Sequence, residues 1–258
     1  MAVELAARYV GINQIVEADL TGCDGSLSRT ERGSYIATLR AGQGLARKRF
    51  TLAHEIGHAI VFRSIGPQAG PSDELHLQCR SKTADQRDEE RLCDVLATEL
   101  IMPRTQFLRA MNEIGVCAST VSVMARKFAV SLQAASRRIT QLLPYEIGIS
   151  QWVIAENSTA FVPKWYVTKR GATTIDYAIL VGQPGSECFG DSAVRGWQWV
   201  PLQGHMEKYF VDISPVPGPR RAWLAIMVFS DAPQQVMFAI SKARQQSSTA
   251  GQLPLIDE

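Results

Sequence analysis

Short alternating runs open the chain. INQIVEADL (12–20) and SYIATLR (34–40) are β-prone, and Gly22, Gly25, Gly33, Gly42 and Gly44 punctuate the stretch. That pattern predicts a small antiparallel sheet. At Phe50 the period lengthens. Phe50, Ala53, Ile56, Gly57, Ile60 and Val61 recur at three- and four-residue steps, predicting a helix to about Ser64 that Gly66, Pro67, Gly70 and Pro71 end. A second helix is expected over 85–102. Asp85, Asp88, Glu89 and Glu90 crowd its first turns, where the helix dipole favours anions. Leu92, Val95, Leu96, Leu100 and Ile101 would form its apolar face, and Pro103 closes it. Residues 104–143 read as two or three more helices, with Pro144 and Gly148 marking a boundary.

Past that boundary the texture changes to β-prone runs: QWVIA, AFVPKWYV, IDYAILV, WQWVPL, YFVDI and WLAIMVFS. Large apolar residues at this spacing suit buried strands better than a ligand box. The expected class is α+β, with a domain over 1–105, a helical segment over 106–145, an α+β domain over 150–245 and a mobile tail over 246–258. A length of 258 residues accommodates about two domains. Hydrophobic residues make up 46% and charged ones 20%, which excludes a disordered chain. No run approaches the ~18 apolar residues of a membrane span. MAVELAARYV lacks the basic-then-apolar order of a secretory signal. Cys23, Cys79, Cys93, Cys117 and Cys188 contain no CxxC pair and read as reduced thiols, so a cytoplasmic location is expected.

The net charge of +2 hides an asymmetry. Residues 104–143 carry Arg104, Arg109, Arg126, Lys127, Arg137 and Arg138 against Glu113 alone, +5, which leaves −3 for the remainder. STVSVMARKFAVSLQAASRRITQL resembles a helix-turn-helix. Ser119 or Thr120 would cap a helix through Phe128, Ala129–Ser131 would turn, and Leu132–Leu142 would be the recognition helix. Arg126, Lys127, Arg137 and Arg138 are then candidate contacts to nucleic acid or a partner. Beyond Gln133 and Ser136 that helix offers few base-reading side chains, so a helical brace or a substrate-recognising surface remains the other reading.

Chemistry concentrates in His54-Glu55-Ile56-Gly57-His58. Residues i and i+4 share a helical face, so both imidazoles can reach one ion, with Glu55 beside them placed to take a proton from water on that ion. Two of only four His fall at this spacing. Zinc needs a third protein ligand. Glu90 and Asp94 share a face of the second helix; Glu90 would bind and Asp94 would accept a hydrogen bond from the far nitrogen of a ligating His. Glu89, Asp88, His76 and Cys93 are the alternatives. Glu89 and Asp88 face elsewhere if Glu90 faces the metal, His76 falls in a loop, and Cys93 is chemically allowed but sits among leucines. Tyr35 and His76 are weak candidates for an oxyanion partner, and His205 is read as structural. The strand over Ser34–Arg40 could bind extended substrate at a sheet edge.

RKRFTLAHEIGH (47–58) followed by EERLCDVLATELIMP (89–103) resembles the ImmA/IrrE family of zinc peptidases. The resemblance is specific over residues 25–105 and looser over 106–143; Cys93 and Leu96 stand where small and aromatic residues are common in that family. It implies a zincin-like, gluzincin-type peptidase domain, His54, His58 and Glu90 as ligands of zinc (with manganese as a substitute), and Glu55 as catalytic base. It also implies a protein substrate, a helix-turn-helix repressor whose cleavage derepresses stress, DNA-damage or mobile-element genes, with no membrane partner. A helical unit after the Met-Pro and a GAF-like sensory domain at the C-terminal end occur in such relatives. The competing reading is a non-catalytic regulator that binds DNA or a partner and uses zinc structurally; an intact Glu55 argues against it, because a structural site needs no general base.

Overall fold

The computed structural model describes residues 2–65, 84–144, 147–154, 161–168, 194–202, 205–216 and 222–228. Two compact units emerge, one of residues 1–104 with 128–131, the other of 105–127 with 132–258. The class is α+β.

The first unit opens with helix α1 (Ala2–Tyr9), which the sequence reading did not include, and continues through strands β1 (Ile12–Ala18), β2 (Gly25–Arg29) and β3 (Tyr35–Arg40). The sheet is mixed, not antiparallel as expected. Its order is β1-β3-β2, with β1 parallel and β2 antiparallel to β3. Residues 19–24 carry the chain past the position beside β1 to the far edge, and β3 returns between the two; β2 itself serves as part of the crossover that a parallel pair requires. The β2–β3 turn closes at Gly33, whose φ of 77° is favoured by the missing side chain, and Thr30 and Ser34 pair across it. SYIATLR, expected as a substrate-binding edge, is the central strand, with Tyr35, Ala37 and Leu39 buried.

Helix α2 (Leu45–Ile65) begins five residues before the apolar repeat does and packs on α1, β2, β3 and α3 (Ala84–Ile101). The core-facing stripe of α3 is Cys93, Ala97 and Ile101, while Leu92 and Val95, expected to be buried, are 49% and 58% exposed. Small residues win that face because the two helices approach closely: a Cβ on Gly57 would stand 3.0 Å from Cys93 Cα and 3.1 Å from its Cβ. Arg49, near the start of α2, donates to the carbonyls of Phe128 (2.8 Å) and Ala129 (3.1 Å).

The second unit contains α4 (Arg104–Ile114), α5 (Ala118–Phe128), α6 (Leu132–Leu142) and strands β4 (Ile147–Ile154), β5 (Phe161–Thr168), β6 (Val194–Leu202), β7 (His205–Pro215) and β8 (Ala222–Val228). The strands form one antiparallel sheet in the order β5-β4-β8-β7-β6. Pro163 lies on β5, which ends the sheet order, and edge strands are where sheets tolerate proline. Ile147, Ile149 and Trp152 of β4 are buried, and α6 packs on β4 and β5. The turn between α5 and α6 falls where the helix-turn-helix pattern put it, with Ala129 at a φ of 50°. The cap differs from expectation. The first-turn N–H of Ala118 donates to the buried Asp212 carboxylate of β7 at 2.7 Å, and Thr120 Oγ1 instead accepts from Cys117 N and donates to Gly115 O. Among the described residues nothing assigns a GAF-like fold; IDYAILV and the tail lie outside them.

Candidate metal centre

His54 and His58 project from one face of α2, a turn apart, toward the first half of α3. Their Nε2 atoms are 3.1 Å from each other; His54 Nε2 is 3.1 Å from Glu90 Oε2 and His58 Nε2 is 3.6 Å from Glu90 Oε1. Nitrogen and oxygen donors about 2.0–2.1 Å from one tetrahedral zinc are themselves roughly 3.3 Å apart. The three side chains therefore already hold the spacing of a single ion's ligands, and they form a three-residue cluster able to hold a metal.

The outward ring nitrogens are also engaged. His54 Nδ1 is 3.0 Å from Asp94 Oδ1, the contact expected from the Glu90/Asp94 spacing. His58 Nδ1 is 3.0 Å from Glu89 Oε1, whereas the sequence reading turned Glu89 away from the site. Cys93 Sγ is 3.4 Å from the same Nδ1, on the side of the ring away from the converging Nε2 atoms. Burial, with Glu89 and Glu90 adding to it, pushes the Cys93 thiol up to about 12, so it remains a thiol.

Charge inside the cluster is set by burial against the carboxylates. Burial lowers the His54 pKa, but hydrogen bonds to Asp94 and Glu90 and the Glu55 charge outweigh it and carry the ring up to about 10. His58 moves down, from burial and then the positive charge of His54. Glu90 is held below the usual carboxylate range by its hydrogen bond with His54, against burial. Glu55 is 3% exposed, and burial lifts its carboxyl to about 7, with His54 opposing and Glu90 adding. A Cβ on Gly25, the first residue of β2, would stand 2.6 Å from Glu55 Oε1. A larger residue there would force the Glu55 or Thr51 side chain to shift. Gly25 carries no motif signal and reads in the sequence only as a turn marker.

The remaining candidates lie elsewhere. Tyr35 is buried in the sheet. His76, Cys79 and Cys188 fall outside the described residues, and His205 opens β7. Of the basic candidates Arg126, Lys127 and Arg137 are exposed, but Arg138 is 5% exposed and turned from solvent, as expected for a helix that packs on a sheet and not for a phosphate contact. No described helix is long and apolar enough to cross a membrane.

A transcriptional regulator of Mycobacterium tuberculosis superposes with a TM-score of 0.49 at 14% identity, covering 99% of this chain and 85% of its own. The radiation response metalloprotease IrrE of Deinococcus radiodurans is 32% identical over 101 residues, which take in 39% of this chain and 29% of that protein. A peptidase family model described as the IrrE N-terminal-like domain matches residues 7–140, more than half of the chain and all of the helices that carry the cluster. The chain belongs to the IrrE N-terminal-like peptidase family.

Proposed function

We propose that this chain is a zinc-dependent endopeptidase, with manganese able to substitute, that cuts a regulatory protein. The observation that carries the reading is the convergence of His54, His58 and Glu90 at ligand spacing with Glu55 buried beside them. Those three side chains would hold the ion, and the ion supplies Lewis-acid polarisation of the scissile carbonyl and acidifies water. Asp94 fixes the His54 ring so that Nε2 faces inward. Glu55, buried beside the cluster, would take the proton of the attacking water and return it to the leaving amine.

The substrate would lie extended. β3 is paired on both sides and has no free ladder, but β2 is an edge of the sheet, and its first residue abuts Glu55. An extended peptide added along β2 brings main-chain amides past the catalytic carboxylate. The family resemblance points to a helix-turn-helix repressor as substrate, and the name of the Deinococcus relative, a radiation response metalloprotease, supports a role in a stress response. The +5 helical segment keeps Arg126, Lys127 and Arg137 exposed for contact with a partner protein or DNA, while buried Arg138 is withdrawn from either. The deciding assay incubates the chain with a candidate repressor and zinc or manganese, and identifies fragments by mass spectrometry. Glu55→Gln is expected to lower cleavage about 10²–10⁴-fold with zinc still bound; unchanged cleavage would remove Glu55 from its role.

A further inference from the structure

We infer that Glu89 is a positioning residue of the metal centre, holding the His58 ring through Nδ1 as Asp94 holds the His54 ring. The inference rests on the metal-site reading above. Helix geometry shows why neighbouring glutamates serve different atoms. The two helices come close at Gly57 and Cys93, where a Cβ on Gly57 would stand 3.0 Å from Cys93 Cα. At about 100° per residue, Glu89 lies roughly 40° to one side of Cys93 around α3, and Glu90 roughly 60° to the other. Two adjacent residues thus straddle the line of contact. Glu90 reaches the inward nitrogens of both rings, and Glu89 reaches the outward nitrogen of His58 at 3.0 Å. His58 is 2% exposed, so no bulk water competes for that Nδ1–H. A hydrogen bond there requires the tautomer that leaves Nε2 a lone pair for the ion. Cys93, 3.4 Å from the same nitrogen, is a weak partner and cannot replace a carboxylate.

The test compares Glu89→Ala, Glu89→Gln and Asp88→Ala with the unaltered chain. Zinc affinity is read by competition with a chromophoric chelator, and the fold by far-ultraviolet circular dichroism and melting in EDTA. Asp88 is one residue away, exposed and paired with Arg91, so its removal controls for loss of one negative charge. Glu89→Ala is expected to weaken zinc about ten- to a hundredfold. Glu89→Gln, whose amide oxygen still accepts, recovers most of that, and Asp88→Ala changes little. In the zinc-loaded chain, nitrogen-15 NMR should show an exchange-protected Nδ1 proton on His58 that Glu89→Ala loses. Equal affinity in Glu89→Ala and the unaltered chain, or equal losses in Glu89→Ala and Asp88→Ala, overturns the inference. Failure of the unaltered chain to bind zinc overturns the metal-site reading itself, which separates the two.

Discussion

Glu55 is buried without a full counter-charge, and that conflict is measurable apart from catalysis. Its carboxyl is raised from 4.5 to about 7. A group whose folded-state pKa is raised in this way binds protons more tightly folded than unfolded. Its cost is therefore absent below about pH 4.5, grows as pH rises, and is complete above about 7, where it reaches of the order of 3 kcal/mol. Glu55→Gln removes the ionisable group. In EDTA the substitution is expected to raise the melting temperature at pH 8 and to do little at pH 5; a difference that ignores pH would refute the assignment. His54 has the opposite character. Its carboxylate partners outweigh burial and hold it protonated up to about pH 10, and a ligating His must be neutral. Zinc uptake near pH 7.5 should therefore release at least one proton, and affinity should climb with pH. Calorimetric titration in two buffers of different ionisation enthalpy reads that proton directly; heats that do not depend on buffer would exclude it.

Between elements, the decisive contact is the one that holds two helices at ligand distance. A methyl group at Gly57 would press on Cys93 backbone, with Cα at 3.0 Å and O at 3.3 Å, so one helix must give by a few tenths of an ångström. Gly57→Ala should push α3 away from α2. The expected loss is about 1–3 kcal/mol in urea denaturation, with zinc binding weakened because Glu89 and Glu90 ride on α3. Wild-type stability and affinity together would show that the helices can part without cost. This contact also explains what the sequence could and could not reveal. The helices that carry the candidate cluster were legible, since HEIGH and the Glu90/Asp94 pair need only the 3.6-residue period to place donors on a face. What the period cannot supply is the line along which two helices meet. Leu92 and Val95 therefore looked like core where Cys93 and Ala97 are, and Glu89 looked averted when it stands across the contact line from Glu90. β2 escaped for another reason: GSLSR is short, polar and glycine-led, and it becomes a strand only because β3 offers a ladder. The parallel pairing of β1 is a choice of partner that no local pattern encodes.

At the scale of the molecule, residues 105–127 and 132–143 fall in one compact unit with the five-stranded sheet, while the 128–131 turn falls in the first unit. The 94-residue separation of Ala118 and Asp212 closes over a buried charge-assisted hydrogen bond at the positive end of α5, and α6 lies on β4 and β5. That long-range cap could not be read from the helical segment, where Ser119 and Thr120 were the available candidates. The metal cluster, in contrast, lies wholly within the other unit, on α2 and α3. An ion bound there adds stability as RT ln(1 + [Zn]/Kd), about 4 kcal/mol at a thousandfold excess over Kd. It does so by cross-linking those two helices, so the gain should be local. Hydrogen exchange with and without zinc is expected to show slowed amides in peptides from α2 and α3, and unchanged amides in peptides from β4 and β8. Equal protection in the sheet would mean that the metal site and the C-terminal strands form one cooperative system.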